Sequence, residues 1–245
     1  MKYYIGIDLG GTNVRTLLVD ENGESYSEVK GPTECQNGPD YVCDKIIKQI
    51  ESLDTSVCGG LQGVEGIGIG APGPVDTELG IMIMASNLPG FENYPICHKL
   101  KEKFGLPTFI DNDANVAGLA EAILGAGKDY KTNYFITCST GVGGAFVVVP
   151  GGYKQGALNP GAVEGEISGT ALTRKGKEAK GDLVKHAGDV FKLAAEGDEA
   201  CQKIAEEFID GFSTLLANVA HTVDPHCFVL GGGVFKSKAY FWDEL

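Results

Sequence analysis

The sequence predicts an α/β protein made of a duplicated unit. Segments rich in β-branched and aromatic residues alternate with segments of helical periodicity along the 245 residues. Each half opens with two apolar runs joined by a glycine-rich turn: Leu9-Gly-Gly-Thr-Asn13 in the first half and Ser139-Thr-Gly-Val-Gly-Gly144 beyond Gly125. No low-complexity linker separates the halves, so we expect two packed lobes with a cleft, at residues 1–112 and 113–245.

The first half is predicted to start as an antiparallel meander, because a turn signal at Asp20-Glu-Asn-Gly23 follows the first two runs. A helix over residues 41–53 would place Val42, Ile46, Ile47 and Ile50 on one face. The predicted strands, including the three of the meander, are residues 2–8, 14–19, 24–29, 64–70, 107–110, 133–137, 145–149 and 227–230. The remaining predicted helices are residues 94–104, 116–124 and a long region 194–223 that is interrupted near Glu196-Gly-Asp198.

Composition excludes several classes of partner. A hydrophobic content of 43% with 22% charged residues is typical of a globular protein, and a net charge of −13 argues against nucleic acid or an anionic membrane. Seven cysteines without C-x-x-C spacing favour reduced thiols over a disulfide framework. No apolar run is long enough to span a bilayer, and a strand rather than a signal peptide starts the chain. We therefore expect a cytoplasmic protein.

A polar cluster, Asp111-Asn-Asp-Ala-Asn115, lies between a predicted strand and a predicted helix. Side chains at a strand end are placed where open α/β sheets bind ligands. One of them could instead cap the helix, and from this segment alone capping is favoured because it needs a single residue.

The two glycine-rich turns suit an anion. Backbone amides at Gly10 and Gly11 could approach phosphate oxygens, Thr12 could add a donor, and Asp8 could hold magnesium through water. A plain hairpin turn is the alternative, but a second turn at Thr140-Gly-Val-Gly-Gly144 makes a phosphate clamp the better interpretation. Neither has the ending of a Walker loop or the spacing of a dinucleotide fold.

A third glycine cluster, Gly231-Gly-Gly233, follows a predicted buried strand and precedes a predicted helix. It could admit a nucleotide base or ribose against the backbone. Tight packing of strand and helix explains it equally well.

Together these segments resemble the ROK (repressor, open reading frame, kinase) family of bacterial sugar kinases and related repressors. That family has the two-lobed actin-like ATPase fold, a ribonuclease H-like duplicated fold shared with hexokinase and heat-shock-70. Six motifs carry the resemblance in family order: Ile5-Gly-Ile-Asp-Leu-Gly-Gly-Thr-Asn13, Gly68-Ile-Gly-Ala-Pro-Gly-Pro-Val75, Asn87-Leu-Pro-Gly-Phe91, Asp111-Asn-Asp-Ala-Asn115, Gly141-Val-Gly-Gly144 and Leu230-Gly-Gly-Gly-Val234.

The resemblance implies phosphorylation of a hexose, usually at the 6-hydroxyl, by ATP and magnesium. It assigns Asp113 as the catalytic base, and Gly73, Asn87, Asn112, Asp113 and Glu166 to the sugar site. The implied phosphate and nucleotide residues are Gly10, Gly11, Thr12, Asn13, Thr140, Gly141, Gly143, Gly231 and Gly232, with Asp8 toward the metal. The implied partners are the sugar, ATP and a second copy of the chain in a homodimer.

The sequence departs from the family pattern beyond the second phosphate turn. Gly169 stands where G-E-x-G-H would place a sugar-binding His, and no zinc-spaced cysteines follow, so no zinc site is expected. The region after Gly233 is also short. Either the protein is a shortened natural variant or residues of a longer protein are missing from this chain. The second explanation is favoured, because losing a sugar ligand and a lobe-crossing helix would impair a kinase.

Glucose is the expected substrate. An N-acetylhexosamine or fructose kinase is the alternative within the family. Outside that class, the chain could be a sugar-responsive repressor or an impaired sugar-binding protein. The repressor needs a DNA-binding segment ahead of Asp8, where the phosphate motif begins at once.

Overall fold

The computed structural model describes residues 1–148, 153–154 and 161–245. These residues form two compact units, Met1–Val116 and Ala117–Leu245. Each unit has its own sheet and its own hydrophobic core.

The first unit contains seven strands and two helices, and a third helix begins within it. In chain order they are β1 (Tyr3–Leu9), β2 (Asn13–Asp20), β3 (Ser25–Pro32), α1 (Pro39–Ser52), β4 (Val64–Ala71), β5 (Val75–Asp76), β6 (Ile81–Met82), α2 (Ile96–Phe104), β7 (Thr108–Asn112) and α3 (Asp113–Ile123). Five strands form one sheet in the order β3-β2-β1-β4-β7. The first three pair antiparallel, as the meander prediction requires, while β4 joins β1 and β7 joins β4 in parallel.

Helix α1 shows how periodicity defines the core of this unit. Pro39 occupies the first helical turn, where its missing N–H is harmless. Val42, Ile46 and Ile50 are completely buried, as predicted, whereas Ile47 is only partly buried. The buried stripe therefore faces the sheet and leaves the other side of the helix in solvent.

The second unit continues with β8 (Thr132–Cys138), β9 (Val142–Val148), β10 (Tyr153–Lys154), α4 (Gly161–Ile167), α5 (Gly169–Lys180), α6 (Ala187–Ala195), α7 (Glu199–Val223) and β11 (Cys227–Gly231). Its sheet order is β10-β9-β8-β11. Strand β8 pairs antiparallel with β9 and parallel with β11, just as β1 pairs with β2 and β4. The predicted duplication is confirmed by this repeated arrangement.

The core of the second unit is rich in phenylalanine. Rings from α6, α7 and the C-terminal segment pack edge to face or tilted, with Phe191 and Phe241 centroids 4.9 Å apart and Phe208 5.1 Å from Phe241. The predicted break in the long helical region is confirmed, because α6 ends at Ala195 and Asp198 caps α7 through the amide of Cys201.

Several predicted boundaries were wrong, and one of them matters for the site. The strand expected to end at residue 110 continues to Asn112, because Asp111 and Asn112 pair with Gly70 and Ala71 of β4. Helix α3 then starts at once with Asp113. The helix expected after the glycine cluster is present as a 3-10 helix, Gly233–Tyr240. Val149, placed in a predicted strand, lies outside the described residues.

All seven cysteines are free thiols. Burial raises the pKa of Cys97 and of Cys138 to about 12, so both behave as small hydrophobic side chains at neutral pH. Across the described part of the chain, every helix is too short or too polar for a bilayer span.

Candidate active site

The polar cluster forms a direct junction between β7 and α3. The carboxylate of Asp111 accepts from the amide of Asn112 at 2.6 Å, and the side chain of Asn112 accepts from the amide of Ala114 at 3.1 Å. Asp113 also accepts from Ala114, at 2.8 Å. Asn112 therefore caps α3, Asp113 is a second acceptor for the same amide, and Asn115 has a different role inside the protein.

Asp113 is an exposed residue whose carboxyl group is nevertheless partly desolvated by the protein around it. That desolvation raises its pKa, and the negative charge of Asp8 adds to the increase. Hydrogen bonds from the backbone and from Asn112 oppose the shift without cancelling it. A carboxylate with a raised pKa that remains open to solvent can accept a proton from a bound hydroxyl group.

The residues that follow β3 hold the first glycine turn through three hydrogen bonds to its carbonyl groups. The backbone amide of Thr33 donates to the carbonyl of Thr12 at 2.8 Å, the Thr33 hydroxyl donates to the carbonyl of Gly10, and the Cys35 thiol donates to the carbonyl of Gly11. Thr33 itself is completely buried. Within the described residues, the amides of Gly11 and Thr12 donate to no protein acceptor. The turn thus keeps donors available for an anion.

Residue 87 packs directly onto this turn. A Cβ atom on Gly11 would lie 2.7 Å from the backbone oxygen of Asn87 and 3.1 Å from its Nδ2. The neighbouring Leu88 and Phe91 are completely buried and fix the backbone, while the side chain of Asn87 is exposed. The predicted sugar residue and the predicted phosphate turn are therefore neighbours.

Gly73 joins the same group through Asn112. Its carbonyl accepts from the Asn112 side chain at 3.5 Å. Gly73 has φ of +78°, and a Cβ atom there would lie 2.1 Å from the carbonyl oxygen of Met84. Only glycine fits this position. The first unit thus gathers the predicted residues Asp8, Gly10, Gly11, Thr12, Asn13, Gly73, Asn87, Asn112 and Asp113 around the carboxyl ends of β1, β4 and β7.

The second glycine turn is shorter than its motif. The bend is Ser139 to Gly141, closed by the Ser139 amide donating to the carbonyl of Gly141 at 2.8 Å. Gly143 lies within β9, paired with Thr137, so it is part of the hairpin strand. Glu164, which was not among the predicted site residues, accepts from the Val142 amide at 3.1 Å, and its carboxylate would have to move if Gly141 carried a side chain.

The third glycine cluster meets the second turn. Gly231 ends β11 beside Thr137. Gly232 has φ of +97°, and a Cβ atom on it would lie 2.3 Å from the carbonyl oxygen of Cys138. Close packing, one of the two predicted explanations, is thus present, and it places the cluster next to Ser139 and Thr140.

A cavity of about 430 Å³ opens beside these two segments in the second unit. Two helices point their N-terminal ends at it, α5 with Thr170 and α6 with His186 and Gly188. The described residues that line it are Ser139, Thr140, Gly169, Thr170, Thr173, His186, Ala187, Gly188, Gly233, Val234, Lys236 and Ser237. None of these described lining residues is acidic, in a chain with 33 acidic residues. Helix N-termini, hydroxyl groups and a lysine favour an anionic ligand.

Most of this lining was not predicted from the sequence. The predicted site residues do not include Thr170, Thr173, His186, Lys236 and Ser237. A local signal exists for the first two, because Ser168 is a helix cap and the hydroxyl residues follow in the first turns of α5. The others enter the cavity only through the packing of α6 and the C-terminal segment.

Glu166 lies in α4 of the second unit and pairs with a lysine. Its carboxylate is 2.7 Å from Nζ of Lys175, which also contacts Glu207 at 3.0 Å. The hydrogen bond from Lys175 lowers the pKa of Glu166, so this carboxylate is ionised at neutral pH. At the position where the family motif has a His, the Gly169 amide donates to the carbonyl of Ser139 at 2.7 Å.

The first unit offers a carboxylate for a magnesium ion whose other ligands would be phosphate oxygens and water. Asp8 offers an exposed carboxylate close enough to Asp113 for their charges to repel. Among the described residues, no cluster of three or more acidic, histidine or cysteine side chains has the arrangement of a metal site. Magnesium commonly takes one or two carboxylates together with phosphates and water, so Asp8 fits that role.

The duplicated sheets and the glycine turns that follow β1 and β8 define the actin-like ATPase fold. A hexokinase of this fold from Thermus thermophilus is 31% identical, with a TM-score of 0.79 over 98% of this chain and 85% of its own. A Streptomyces griseus glucokinase in complex with glucose and AMPPNP is 26% identical, with a TM-score of 0.77 over 98% of this chain and 86% of its own.

Sequence comparison gives the family. The ROK family profile matches residues 4–158 and 152–245, and the chain belongs to the ROK family. A glucokinase from Halalkalibacterium halodurans is 30% identical over 96% of this chain and 82% of the relative. Similarity extends to proteins with other substrates, such as an N-acetylmannosamine kinase from Escherichia coli at 27% identity.

Proposed function

We propose that the chain is an ATP- and magnesium-dependent hexose kinase that phosphorylates the 6-hydroxyl group of glucose. Its reaction class is that of its relatives named glucokinase: the chain is a phosphotransferase with an alcohol acceptor. The single observation that carries the rest is the exposed Asp113 carboxylate with its raised pKa.

Asp113 acts as the general base in this proposal. A sugar hydroxyl is too weak an acid to ionise alone at neutral pH. A carboxylate within hydrogen-bond reach accepts its proton as the bond to phosphorus forms, which contributes about 10²–10⁴-fold to the rate. The raised pKa of Asp113 makes it a stronger base than an ordinary aspartate.

Asn112, Asn87 and the Gly73 loop position the sugar. Asn112 caps α3 through its oxygen and reaches the carbonyl of Gly73 through its nitrogen, so its amide is held in one orientation. Asn87 presents an exposed amide from a backbone anchored by buried Leu88 and Phe91. Fixed amides and carboxylates of this kind recognise sugar hydroxyl groups through hydrogen bonds. Glu166 of the second unit remains a proposed sugar ligand.

The glycine turns hold the phosphates. The amides of Gly11 and Thr12 and the exposed Thr140 are proposed donors, with Asn13 and Gly10 shaping the first turn and Gly141 and Gly143 the second. We assign the cavity beside Gly231 and Gly232 to the nucleotide, because the described residues of its lining supply hydroxyl groups, helix N-termini and a lysine but no carboxylate. Magnesium, when bound beside Asp8, neutralises phosphate charge. Preorganised donors then stabilise the transferring phosphoryl group.

A sugar panel assayed with ATP and magnesium tests the proposal. We expect glucose to give the largest kcat/KM, followed by other hexoses and N-acetylhexosamines. Asp113→Asn is expected to remove turnover while the folded protein still binds sugar in calorimetry. Full activity in that variant, or no turnover of any sugar by the wild-type chain, would refute the assignment.

A non-catalytic sugar-binding protein is the second candidate. It is favoured by two observations: Glu166 is paired with Lys175, and Gly169 has no side chain where the family motif has a His. Sugar binding without turnover, in protein whose length is checked by intact mass, would support it. Light scattering of the same sample would decide whether the proposed homodimer forms.

A further inference from the structure

Asp111 and Asn115 form a buried hydrogen-bonded pair next to the proposed base in the chain. Oδ1 of Asp111 accepts from Nδ2 of Asn115 at 3.0 Å and from the amide of Asn112 at 2.6 Å. Asn115 is 1% exposed and Asp111 is 8% exposed, so neither side chain can be a direct ligand for a sugar.

This pair joins the last residues of β7 to the first turn of α3. No loop separates the two elements, since β7 ends at Asn112 and α3 begins at Asp113. One carboxylate oxygen thus binds the backbone on the strand side and a side chain on the helix side. On the other side of the junction, Gly70 of β4 approaches the Cα of Asp113, where an added Cβ would be at 3.7 Å.

Burying such a pair opposes stability. A carboxylate loses hydration when it is buried, and in the described part of the chain the Oδ1 atom of Asn115 makes no hydrogen bond. An apolar side chain would fill the position of Asn115 with less desolvation. Polar groups kept in a core at such a position favour a role in orienting their neighbours.

We propose that Asp111 and Asn115 are positioning residues that set the orientation of the Asn112 and Asp113 side chains at the junction of β7 and α3. The proposal rests on the assignment of Asp113 as the base. It adds that the Asp111–Asn115 hydrogen bond, called the clamp below, sets the geometry of the base. In the clamp, the position of the acceptor oxygen of residue 111 matters more than the charge of that residue. A misplacement of about 1 Å in such a group can reduce a rate about 10²-fold.

Three variants and one matched control test the clamp. Asn115→Ala removes the helix-side donor, Asp111→Ala removes the acceptor, and Asp111→Asn keeps an oxygen acceptor without the charge. The control is Gln49→Ala, because Gln49 accepts from Thr16 at 2.8 Å in another buried polar pair of the same unit. Sugar KM, ATP KM, kcat and thermal unfolding are measured for all four.

We expect Asn115→Ala and Asp111→Ala to lower kcat by about 10- to 100-fold, with ATP KM unchanged. Asp111→Asn should retain most of kcat, and Gln49→Ala should lose stability without losing kcat. The proposal is overturned if Asn115→Ala reduces kcat no more than Gln49→Ala does. It is equally overturned if Asp111→Asn loses as much kcat as Asp111→Ala.

Hydrogen exchange separates this proposal from the proposed function. The amides of Asn112 and Ala114 should exchange faster in Asn115→Ala than in wild type, and at the wild-type rate in Gln49→Ala. If no sugar is phosphorylated by the wild-type chain, the kinase assignment fails, and these amides still decide whether the clamp exists. Unchanged exchange of both amides in Asn115→Ala would overturn the clamp.

Discussion

Gly11 and Asn87 are in such close contact that a single methyl group would not fit between them. A Cβ atom on Gly11 would lie 2.7 Å from the backbone oxygen of Asn87 and 2.9 Å from its Cβ. The proposed phosphate turn and the proposed sugar loop therefore share one surface, and displacing one must displace the other.

Gly11→Ala is expected to weaken both ligands at once. Overpacking against backbone typically costs about 1–3 kcal/mol, and here it would push the Asn87 loop away from the turn. Steady-state kinetics should show higher KM values for sugar and ATP together. Gly6→Ala is the control, because a Cβ on Gly6, in the preceding strand β1, meets nothing within 4 Å. A rise in only one KM would contradict the shared surface.

Asp113→Asn should abolish turnover without lowering stability. The folded state raises the pKa of Asp113, so the group contributes stability below its unfolded pKa and loses it as pH rises through the folded pKa. Once ionised, the desolvated carboxylate therefore opposes folding, and the neutral amide removes that effect. We expect kcat to fall about 10²–10⁴-fold. Thermal unfolding at pH 7 should give a Tm for the variant that is no lower than that of wild type. The difference in Tm between the two proteins should disappear in acid. A clearly lower Tm for the variant would contradict a desolvated carboxylate at this position.

Asp8→Asn should lower the pKa of Asp113. Burial, the larger cause of the increase, would remain, but the repulsion from the Asp8 charge would be lost. Carbon-13 NMR of the Asp113 carboxyl group in metal-free protein measures this directly. Glu21→Gln is the control, because Glu21 accepts from the amide of Lys2, just before the opposite end of β1. If the two variants shift Asp113 equally, the specific effect of Asp8 is excluded.

Placing the family's histidine at position 169 should damage the second unit. A Cβ atom on Gly169 would lie 2.5 Å from the carbonyl oxygen of Ser139, whereas one on Gly165 meets nothing within 4 Å. Gly169→His should therefore separate α5 from the second glycine turn and raise the Kd for ATP in calorimetry, with a lower Tm. Gly165→Ala should leave ATP binding intact. Improved sugar phosphorylation by Gly169→His would show that the backbone here can move to accept a side chain.

Gly232→Ala is expected to destabilise the second unit more than Gly197→Ala. Both glycines have positive φ angles, +97° and +94°, so both variants place a side chain on a backbone that L residues rarely adopt. Only Gly232 adds a steric conflict, with the Cys138 carbonyl oxygen 2.3 Å from the new Cβ. Chemical denaturation should show the larger loss of unfolding free energy, and loss of ATP binding, for Gly232→Ala. Equal losses would mean that backbone strain alone explains both.

Much of the fold could be predicted because its signals are local. The hydrophobic spacing of Val42, Ile46 and Ile50 identifies a buried helix face without reference to any distant residue. The hairpins around the glycine turns revealed the duplication in the same way. Boundaries at the polar cluster were wrong, because pairing of Asp111 and Asn112 with β4 extends the strand beyond what their weak strand propensity predicts.

Residue patterns along the chain were sufficient to predict the duplicated α/β architecture, the glycine turns and the polar cluster that contains the proposed base. Folding adds the burial of the Asp111–Asn115 pair, the repulsion between Asp8 and Asp113, and the contact of Gly169 with Ser139. The difference lies in the range of the interactions. Periodicity and turn chemistry act between neighbours along the chain, whereas desolvation, charge repulsion and close packing depend on residues that meet only after folding.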